Sequence, residues 1–377
     1  MGKKILIGVT SYKSYVLLKG SLNYYSKNDF EVHLVCSFSE NLVKISKENH
    51  FHYHPIKIER NISVVKDFVS LFSLLRLIFK IKPDVICVGT PKMALLGVIS
   101  GRLLNINKVI YLCRGFRFYH EKGLKKVFLK NFEYLTFLFA KQILFIAPSL
   151  LEYSIINFNL TKRKFTCINP GSSNGIDLEY FDHEKTYPLK DEKLIGFLKQ
   201  KSYKNVITFC GRIVRRKGFE ELFLAFKKLS RNDTLLLFIG DVEENQINNL
   251  MVIDEMSSHP DVYITGFVED VRPYIKLGDI FCVPAYWEGF GNVFIQASAL
   301  GLPVIAGDSL GCVDAVDNGF SGLLVKPESV EDLYEVLSYL IDDADLQKEL
   351  SQNGIKHVQK FSQKLVWNQY IKIFNQN

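Results

Sequence analysis

The sequence predicts an α/β protein with two doubly wound, Rossmann-like domains that face each other across a cleft. Short apolar runs rich in Val, Ile and Leu alternate with longer helical patterns in both halves of the chain. This alternation is typical of parallel sheets that helices cover on both faces. The length of 377 residues suits two domains better than one core. A turn-rich segment at residues 169–175, where the charge also changes, marks the boundary.

Ten apolar runs are candidate strands, five in each half. In the first half they are residues 5–9, 32–36, 85–88, 108–113 and 143–147, and in the second 206–210, 235–239, 262–264, 280–283 and 304–305. We therefore expect an N-terminal domain over residues 1–170 and a C-terminal domain over residues 171–355. Residues 356–377 are expected to form a final helix, and one interpretation is that this helix packs back on the N-terminal domain.

The charge is distributed unevenly between the two halves. Residues 1–170 carry 26 Lys and Arg against 10 Asp and Glu, a net charge of +16. Residues 171–377 carry 21 against 30, a net charge of −9. The basic half is therefore expected to face an anionic partner.

Cysteine usage points to a reducing compartment. The seven cysteines are scattered, odd in number and never spaced as Cys-x-x-Cys. This pattern argues against a disulfide framework or a zinc site and favours the cytosol. The first apolar run, residues 5–9, is too short for a signal peptide and is interpreted as a strand.

The first motif with chemical meaning follows the strand that ends at Cys210. Gly211 and Arg212 open a loop that continues through two further arginines to Lys217 and Gly218, and a helical pattern follows. A strand, a glycine turn, four cations and a helix start suit a diphosphate, which arginine can bind in a bidentate way. Within this loop Arg215 and Arg216 are also explained as side chains that face water.

The second motif follows the strand that ends at residue 283. Glu288 precedes a Gly-Phe-Gly turn, and a helix that begins near Asn292 carries Gln296 about one turn in. Glycines let the backbone approach a ligand, and the free N–H groups at a helix start attract phosphate. A carboxylate beside that turn accepts hydrogen bonds from sugar hydroxyls.

Together the two motifs resemble the donor site of a known family. Gly211-Arg212…Lys217-Gly218 and Glu288-Gly-Phe-Gly…Gln296 are similar to the motifs of the retaining glycosyltransferases of family four, which have the GT-B fold. The resemblance spans nearly the whole chain. Residues 90–97, 114–117, 174–177 and 311–316 are similar to segments of the bacterial members that build capsule, O-antigen and lipid-linked glycans.

The resemblance implies a role for each matching residue. Arg212 and Lys217 bind the nucleotide diphosphate, the backbone of residues 290–292 holds the distal phosphate, and Glu288 contacts the donor sugar. The family's second acidic residue, which receives the ribose diol, corresponds here to Gln296, which has no charge. The donor-binding residues that the resemblance implies are Gly211, Arg212, Lys217, Gly266, Phe267, Val268, Glu288, Gly289, Phe290, Gly291, Asn292 and Gln296. Of these, Gly266-Phe267-Val268 matches the segment whose backbone reads the base.

The first half departs from the family pattern at two loops. Where many members have paired glycines after the first strand, this chain has Ser11 and Ser14, whose hydroxyls either face the cleft or pack within the loop. Near the family's histidine lie Arg114 and Arg117, candidates for binding the phosphate of the donor or of an anionic acceptor. His120, slightly later, is interpreted either as a general acid or orienting group, which we count with Arg212, Lys217 and Glu288 as catalytic, or as a surface histidine.

The expected reaction needs no metal cofactor, because Arg212 and Lys217 supply the positive charge for the leaving group. The expected donor is a UDP-sugar. The expected acceptor is a saccharide linked to polyprenyl diphosphate, at the inner face of the cell membrane. In this interpretation residues 124–132 form a basic, amphipathic helix on anionic lipid. For residues 68–81 we expect core packing with a charged face in solvent, and neither segment is long enough to span a bilayer.

Three alternatives remain open at this point. A sugar-nucleotide 2-epimerase on the same fold would form product without an acceptor. A catalytically silent binder of nucleotide sugars is suggested by Gln296. A nucleic-acid-binding protein is disfavoured because the chain lacks an aromatic-basic RNA motif and its donor-like motifs lie in the acidic half.

Overall fold

The structure of the chain, a computed structural model, describes residues 2–59, 63–119, 121–158 and 164–376. It comprises two units: unit 1, Met1–Gly175 with Gln363–Asn377, and unit 2, Ile176–Ser362. Each contains one wholly parallel sheet, and the predicted fold class of two Rossmann-like domains is confirmed. The unit boundaries fall after Gly175 and Ser362, compared with the expected residues 170 and 355.

Unit 1 has a seven-stranded sheet. Its strands are β1 (Lys3–Gly8), β2 (Phe30–Cys36), β3 (His52–Pro55), β4 (Val85–Gly89), β5 (Lys108–Cys113), β6 (Gln142–Phe145) and β7 (Phe165–Cys167). They lie in the order β3-β2-β1-β4-β5-β6-β7. The order reverses between β1 and β4, which is the switch point where such sheets bind ligands. The helices between these strands are α1 (Ser21–Ser26), α2 (Glu40–Glu48), α3 (Val64–Ile81), α4 (Pro91–Leu103), α5 (Gly123–Phe139) and α6 (Pro148–Asn157).

Unit 2 has a six-stranded sheet of the same kind. Its strands are β8 (Asn205–Cys210), β9 (Thr234–Ile239), β10 (Val262–Ile264), β11 (Ile280–Val283), β12 (Val304–Gly307) and β13 (Leu323–Val325), in the order β10-β9-β8-β11-β12-β13. Its helices are α7 (Glu192–Leu198), α8 (Phe219–Leu229), α9 (Leu250–Ser258), α10 (Arg272–Ile275), α11 (Asn292–Ala299), α12 (Val330–Asp342) and α13 (Ala344–Val358). The switch point here lies between β8 and β11, the strands that precede the two donor-like motifs.

All ten predicted strands are present, and three others were missed. The missed strands, β3, β7 and β13, each lie at an edge of a sheet. An edge strand has one neighbour and is partly exposed, so its sequence need not be a continuous apolar run. In β3, for example, His52–Pro55 reads His-Tyr-His-Pro, and none of these four residues is buried.

The expected final helix is shorter than predicted and belongs to unit 1. Residues 356–358 still form part of α13, and the last helix, α14 (Gln363–Asn375), begins seven residues later than residue 356. It packs on unit 1 through Trp367 against Tyr24 and Phe374 against Tyr25. Lys3 donates to the carbonyl of Asn375 at 3.3 Å. A lysine at this end suits the negative pole of the helix dipole.

Helix α3 meets the expectation of core packing with a charged face in solvent only in part: Lys66, Arg76 and Lys80 are exposed, but large apolar residues are exposed as well. It buries Leu74, Ile78 and Ile81. Its exposed side nevertheless carries large apolar residues, namely Val65, Phe68, Val69, Phe72 and Phe79. Twelve of the 18 residues of α3 are apolar, so the sequence pattern does not indicate which of them a neighbouring helix covers.

Helix α5 also exposes apolar residues, and the two helices share a neighbour. Leu124, Val127 and Phe128 of α5 are exposed, and α4 packs against both α3 and α5. Within the described ranges, no helix is both long and apolar enough to cross a bilayer.

Below this surface, α5 buries a carboxyl group. Glu133 is 5% exposed and accepts a hydrogen bond from the Tyr111 hydroxyl at 2.5 Å. Burial raises the pKa of Glu133 from 4.5 to about 7, although the hydrogen bond from Tyr111 lowers it somewhat. The carboxyl therefore keeps its proton in the folded chain at pH values where the unfolded chain has lost it.

We expect Glu133→Gln to remove part of the pH dependence of stability. Between pH 4.5 and 7 the unfolded chain releases the Glu133 proton and the folded chain retains it, so rising pH destabilises the wild type. The penalty reaches on the order of 2–3 kcal/mol above pH 7. The thermal midpoint of the variant minus that of the wild type, both measured by circular dichroism, should increase from pH 5 to pH 8. The exposed control Glu152→Gln should follow the wild type, and identical pH curves for Glu133→Gln would contradict the raised pKa.

Candidate functional site

The candidate site lies at the carboxyl ends of β8 and β11, on either side of the switch point of unit 2. These strands pair in parallel, with Ile280 opposite Ile207 and Phe281 opposite Thr208. The loops that follow them, residues 211–218 and 284–291, therefore emerge side by side. These are the two loops that carry the sequence motifs.

Glycines allow the loops to pack backbone against backbone. A Cβ at Gly218, whose φ is +70°, would lie 2.3 Å from the carbonyl oxygen of Pro284. A Cβ at Gly311, whose φ is +79°, would lie 2.2 Å from that of Glu288. The Tyr286 amide donates to the Arg216 carbonyl at 2.8 Å, and the Glu288 amide to the Leu310 carbonyl at 2.9 Å. The loop that carries Glu288 is thus fixed between its neighbours.

The centre of the site is an ion cluster around Glu288. One carboxylate oxygen of Glu288 contacts the Lys217 ammonium directly and lies 3.1 Å from Arg216 Nη1. The Glu288 and Lys217 side chains are only 15% and 11% exposed. Burial raises the pKa of Glu288, but the charges of Lys217 and Arg216 outweigh it and hold the pKa below its usual value. The carboxylate is therefore ionised at neutral pH.

Arg212 forms a second, more exposed pair. Its Nη1 lies 2.8 Å and 3.1 Å from the two carboxylate oxygens of Glu243, which follows β9. The Arg212 side chain is 49% exposed. The loops after β8 and β9 meet because these strands are adjacent, and the backbone of Ile213 bridges to that of Val242. The guanidinium is thus free to exchange this partner for an anionic ligand at little cost.

Helix α11 directs its N-terminus toward the same region. Gly291, with φ of +67°, precedes it, and no side chain caps its first turn. Phe290 is buried against Phe361, with ring centroids 5.1 Å apart, which fixes the backbone at the helix start. Gln296 lies one turn into α11 and is half-buried. Residues 290–292 lie at the start of α11, and the N–H groups of a helix start form a positive end that attracts phosphate.

The segment Gly266-Phe267-Val268 joins this edge of the sheet from the side of β10. Gly266 has φ of +70° and bridges to Gly240, the residue after β9. Phe267 is 78% exposed. Gly211, Gly240 and Gly266 therefore follow the carboxyl ends of three adjacent strands, β8, β9 and β10.

Two residues of the cluster were not identified from sequence. Arg216 was interpreted as a cation that could face water, but it contacts Glu288 and lies over the Trp287 ring at 5.0 Å. The two sequence motifs do not include Glu243. Its position after β9 could have indicated it, because β9 is next to β8 and their following loops converge.

The hydroxyl candidates of unit 1 lie in the loop after β1. Ser11 caps a short 3-10 helix: its hydroxyl accepts from the Lys13 amide at 3.3 Å and its carbonyl from the Ser14 amide at 2.9 Å. Ser14 is half-buried. At the switch point itself the hydroxyls of Thr10 and Thr90 lie 2.8 Å apart, and Thr90 has φ of +71°, a strained value for a β-branched residue.

The two arginines after β5 have different surroundings. Arg114 donates from Nε to the Ser173 hydroxyl at 2.7 Å, and its Nη1 is buried beside Gly89, where a Cβ would lie 1.9 Å from it. Arg114 is half-buried, and its Nη1 has no hydrogen-bond partner within the described part of the chain, whereas Arg117 is exposed. His120 lies outside the described residues.

The sequence contains one Asp-x-Asp triplet, Asp343-Ala344-Asp345. Asp343 caps α13, since its side chain accepts from the Leu346 amide at 2.9 Å. This triplet lies on the helical layer and not at the strand ends of the candidate site. Across the described part of the chain, no three His, Cys, Asp or Glu side chains are grouped in a way that could hold a metal ion.

We expect Glu288→Gln to destabilise the chain more than Glu243→Gln. Loss of the Glu288 charge leaves two cations close together with little solvent, at a cost of about 3 kcal/mol. The Glu243 pair is exposed and contributes at most about 1 kcal/mol. Thermal midpoints at pH 7 measure the difference, with Glu243→Gln as the matched control. Equal midpoints for the two variants would show that the Glu288 cluster is no more stabilising than a surface pair.

Comparisons with known proteins match both units. The family model described as Glycosyl transferases group 1 matches residues 190–357, and that described as Glycosyl transferase 4-like matches residues 4–147. CapM of Staphylococcus aureus, a capsular polysaccharide biosynthesis glycosyltransferase, is 34% identical over 380 residues, which cover 99% of this chain and 97% of CapM.

Two other similar proteins have more specific descriptions. The UDP-Gal:alpha-D-GlcNAc-diphosphoundecaprenol alpha-1,3-galactosyltransferase of Escherichia coli is 27% identical over 321 residues, covering 83% of this chain and 81% of the enzyme. HepE of Anabaena, solved in complex with UDP-glucose, superposes with a TM-score of 0.80 at 18% identity, covering 98% of each chain. At that identity HepE shows the fold.

The match to CapM along almost the whole of both chains, and the two family models that divide the sequence between them, lead to one conclusion. The chain belongs to the glycosyltransferases of family four, with the GT-B fold, and the bacterial enzymes of capsule, O-antigen and lipid-linked glycan synthesis are among its relatives.

Proposed function

We propose that this glycosyltransferase moves a hexose or N-acetylhexosamine from a UDP-sugar to a polyprenyl-diphosphate-linked saccharide, with retention of configuration at the donor carbon. The observation that carries the proposal is the cluster of Lys217, Arg216 and Glu288 beside the N-terminus of α11. Cations and a helix start suit a diphosphate, and the ionised carboxylate beside them suits sugar hydroxyls. The relative from Escherichia coli supports the donor and acceptor classes through its name.

In this proposal each element of the site has a distinct task. Arg212 leaves Glu243 and binds the diphosphate together with Lys217. The amides of residues 290–292 bind the distal phosphate, and Glu288 accepts hydrogen bonds from the donor sugar. The backbone of Gly266-Phe267-Val268 reads the base. Gln296 contacts the ribose diol through its amide, which can donate one hydrogen bond and accept another.

The chemistry consists mainly of stabilising the leaving group. As the bond between the sugar and the diphosphate breaks, negative charge grows on the diphosphate oxygen, and Lys217 and Arg212 stabilise that charge. The acceptor hydroxyl attacks from the face that the diphosphate leaves, so the configuration is retained. The cations perform the task that a divalent ion has in other transferases, and the proposed reaction is metal-independent.

The acceptor and the membrane are assigned to unit 1. Its half of the chain carries the net charge of +16, and α3 and α5 expose apolar side chains on both sides of α4. Apolar side chains that insert between lipids, together with cations that attract anionic headgroups, hold a protein on a membrane surface without crossing it. We therefore propose peripheral association with the inner face of the cell membrane.

We expect transfer to depend on Arg212 and Lys217. Either Arg212→Gln or Lys217→Met should lower kcat/KM by about 10²–10³-fold, because each removes a charge that stabilises the leaving group. The assay supplies radiolabelled UDP-sugars and a short-chain polyprenyl-diphosphate-linked N-acetylhexosamine, and EDTA should leave the rate unchanged.

The matched control for this assay is Arg215→Gln, from the same loop. Arg215 is exposed and lies 3.8 Å from Glu328, and it should be dispensable. Full activity of Arg212→Gln and Lys217→Met would refute the proposed site. Product that forms from UDP-sugar without acceptor would favour the epimerase, and UDP binding without turnover on any acceptor would favour the silent binder.

We also expect the apolar surface of α3 and α5 to bind vesicles. The triple variant Phe72→Ser, Leu124→Ser, Phe128→Ser should reduce co-sedimentation with vesicles that contain 30% phosphatidylglycerol by about tenfold or more, since each lost side chain removes about 1.5–3 kcal/mol of burial. Met251→Ser is the control, because Met251 is 75% exposed in unit 2. Equal sedimentation of all three proteins would exclude this surface as the membrane contact.

A further inference from the structure

Unit 1 contains a pocket that the donor chemistry does not use. It lies where the first turn of α4 meets the loop after β5 and the second half of α5. We call it the α4–α5 pocket. Its lining consists of Pro91, Lys92, Arg117, Phe118, Leu129, Phe132 and Glu133.

The polar side of the pocket is positively charged. Lys92 is 7% exposed, and its ammonium lies 2.6 Å from the carboxylate of Asp67 on α3. Arg117 forms no ion pair with any part of the chain that the structure describes, so its charge is not neutralised locally. The first turn of α4 lies at the same place, and its Met93 amide donates to the Thr10 hydroxyl at 3.3 Å. The pocket therefore offers two cations, Lys92 and Arg117, against the Asp67 carboxylate that pairs with Lys92.

The buried carboxyl group in the pocket opposes an anion less than an ordinary carboxylate would. Glu133 is the only acidic residue of the lining. Burial raises its pKa to about 7, so a substantial fraction keeps its proton near neutral pH. An anion that enters the pocket favours that proton further, and a protonated carboxyl group can donate a hydrogen bond to it.

The remaining walls are apolar and lead to the exposed apolar surface. Phe118 is buried, and Leu129 and Phe132 are half-buried on α5. The exposed residues Val127 and Phe128 precede Leu129 on the same helix. A ligand that fits this combination has a phosphate at one end and a hydrocarbon chain at the other.

We propose that the α4–α5 pocket binds the diphosphate and the first isoprene units of the lipid-linked acceptor. Lys92 and Arg117 bind the phosphate oxygens, and Leu129 and Phe132 contact the hydrocarbon. The lipid then leaves the pocket along the exposed apolar side of α5. This inference rests on the proposed function for the identity of the acceptor, and it assigns that acceptor a binding site in unit 1.

The test measures binding without any transfer. Farnesyl diphosphate is titrated into the full chain by isothermal titration calorimetry, with inorganic diphosphate and farnesol as the two halves of the ligand. We expect farnesyl diphosphate to bind more tightly than either half. Arg117→Gln should weaken it about tenfold, which corresponds to one charge-assisted hydrogen bond. Leu129→Gln should weaken the binding of farnesyl diphosphate and leave the affinity for inorganic diphosphate unchanged.

The matched control is Lys125→Gln, which removes one exposed cation from the outer side of α5. The Lys125 side chain is 67% exposed and pairs with Glu121. Arg117 and Leu129 both have solvent contact, so these variants should fold, and their thermal midpoints check this. Unchanged affinity of farnesyl diphosphate for Arg117→Gln and Leu129→Gln overturns the proposal. Equal affinity for inorganic and farnesyl diphosphate overturns the lipid assignment.

The outcome is separable from that of the proposed function. If the chain transfers sugar but the pocket variants bind farnesyl diphosphate normally, the pocket is refuted and the transferase stands. If no UDP-sugar is turned over but the pocket variants lose affinity for farnesyl diphosphate, the proposed lipid site is supported and the proposed transferase activity is refuted. In an active enzyme, Arg117→Gln should raise KM for the lipid acceptor and leave KM for the UDP-sugar unchanged.

Discussion

The ion cluster of Glu288, Lys217 and Arg216 is the contact on which the carboxyl edge of the sheet in unit 2 depends. It joins the loop after β8 to the loop after β11 across the switch point of the sheet. Little-hydrated charges are tolerated only when opposite charges are held close to them. The positive-φ glycines at residues 218 and 311 make that closeness possible, because any larger residue would separate the loops. The loop after β11 leads directly into α11 and therefore also fixes the position of the helix start.

The charges of the site are nearly balanced before any ligand binds. Arg212, Arg216 and Lys217 face Glu243 and Glu288, which leaves one net positive charge. A carboxylate at position 296, as in the pattern that this chain resembles, would cancel that charge. Gln296 leaves that charge in place and keeps a hydrogen-bonding group one turn into α11. The exposed pair of Arg212 and Glu243 costs little to separate when an anion binds. The buried cluster around Glu288 holds the two loops in place.

Much of this arrangement was predictable from the sequence, and the exceptions have physical reasons. Central strands such as β8 and β11 are buried on both faces, so continuous apolar runs reveal them. Edge strands such as β3 lack that signal. The partners of Arg212 and Arg216 depend on which strands are adjacent, which no local pattern encodes. Helix α3 is apolar around much of its circumference, and only the position of α4 decides which side is covered.

Helix α14 also has a consequence for biosynthesis. It completes the core of unit 1 through Trp367 and Phe374, yet all of unit 2, Ile176–Ser362, precedes it in the chain. A ribosome therefore releases the seven strands of unit 1 long before the helix that covers part of them. Domains usually fold in the order of their synthesis. Here unit 2 can complete its folding first. Until α14 is synthesised, the aromatic surface of Tyr24 and Tyr25 remains uncovered and is available to chaperones.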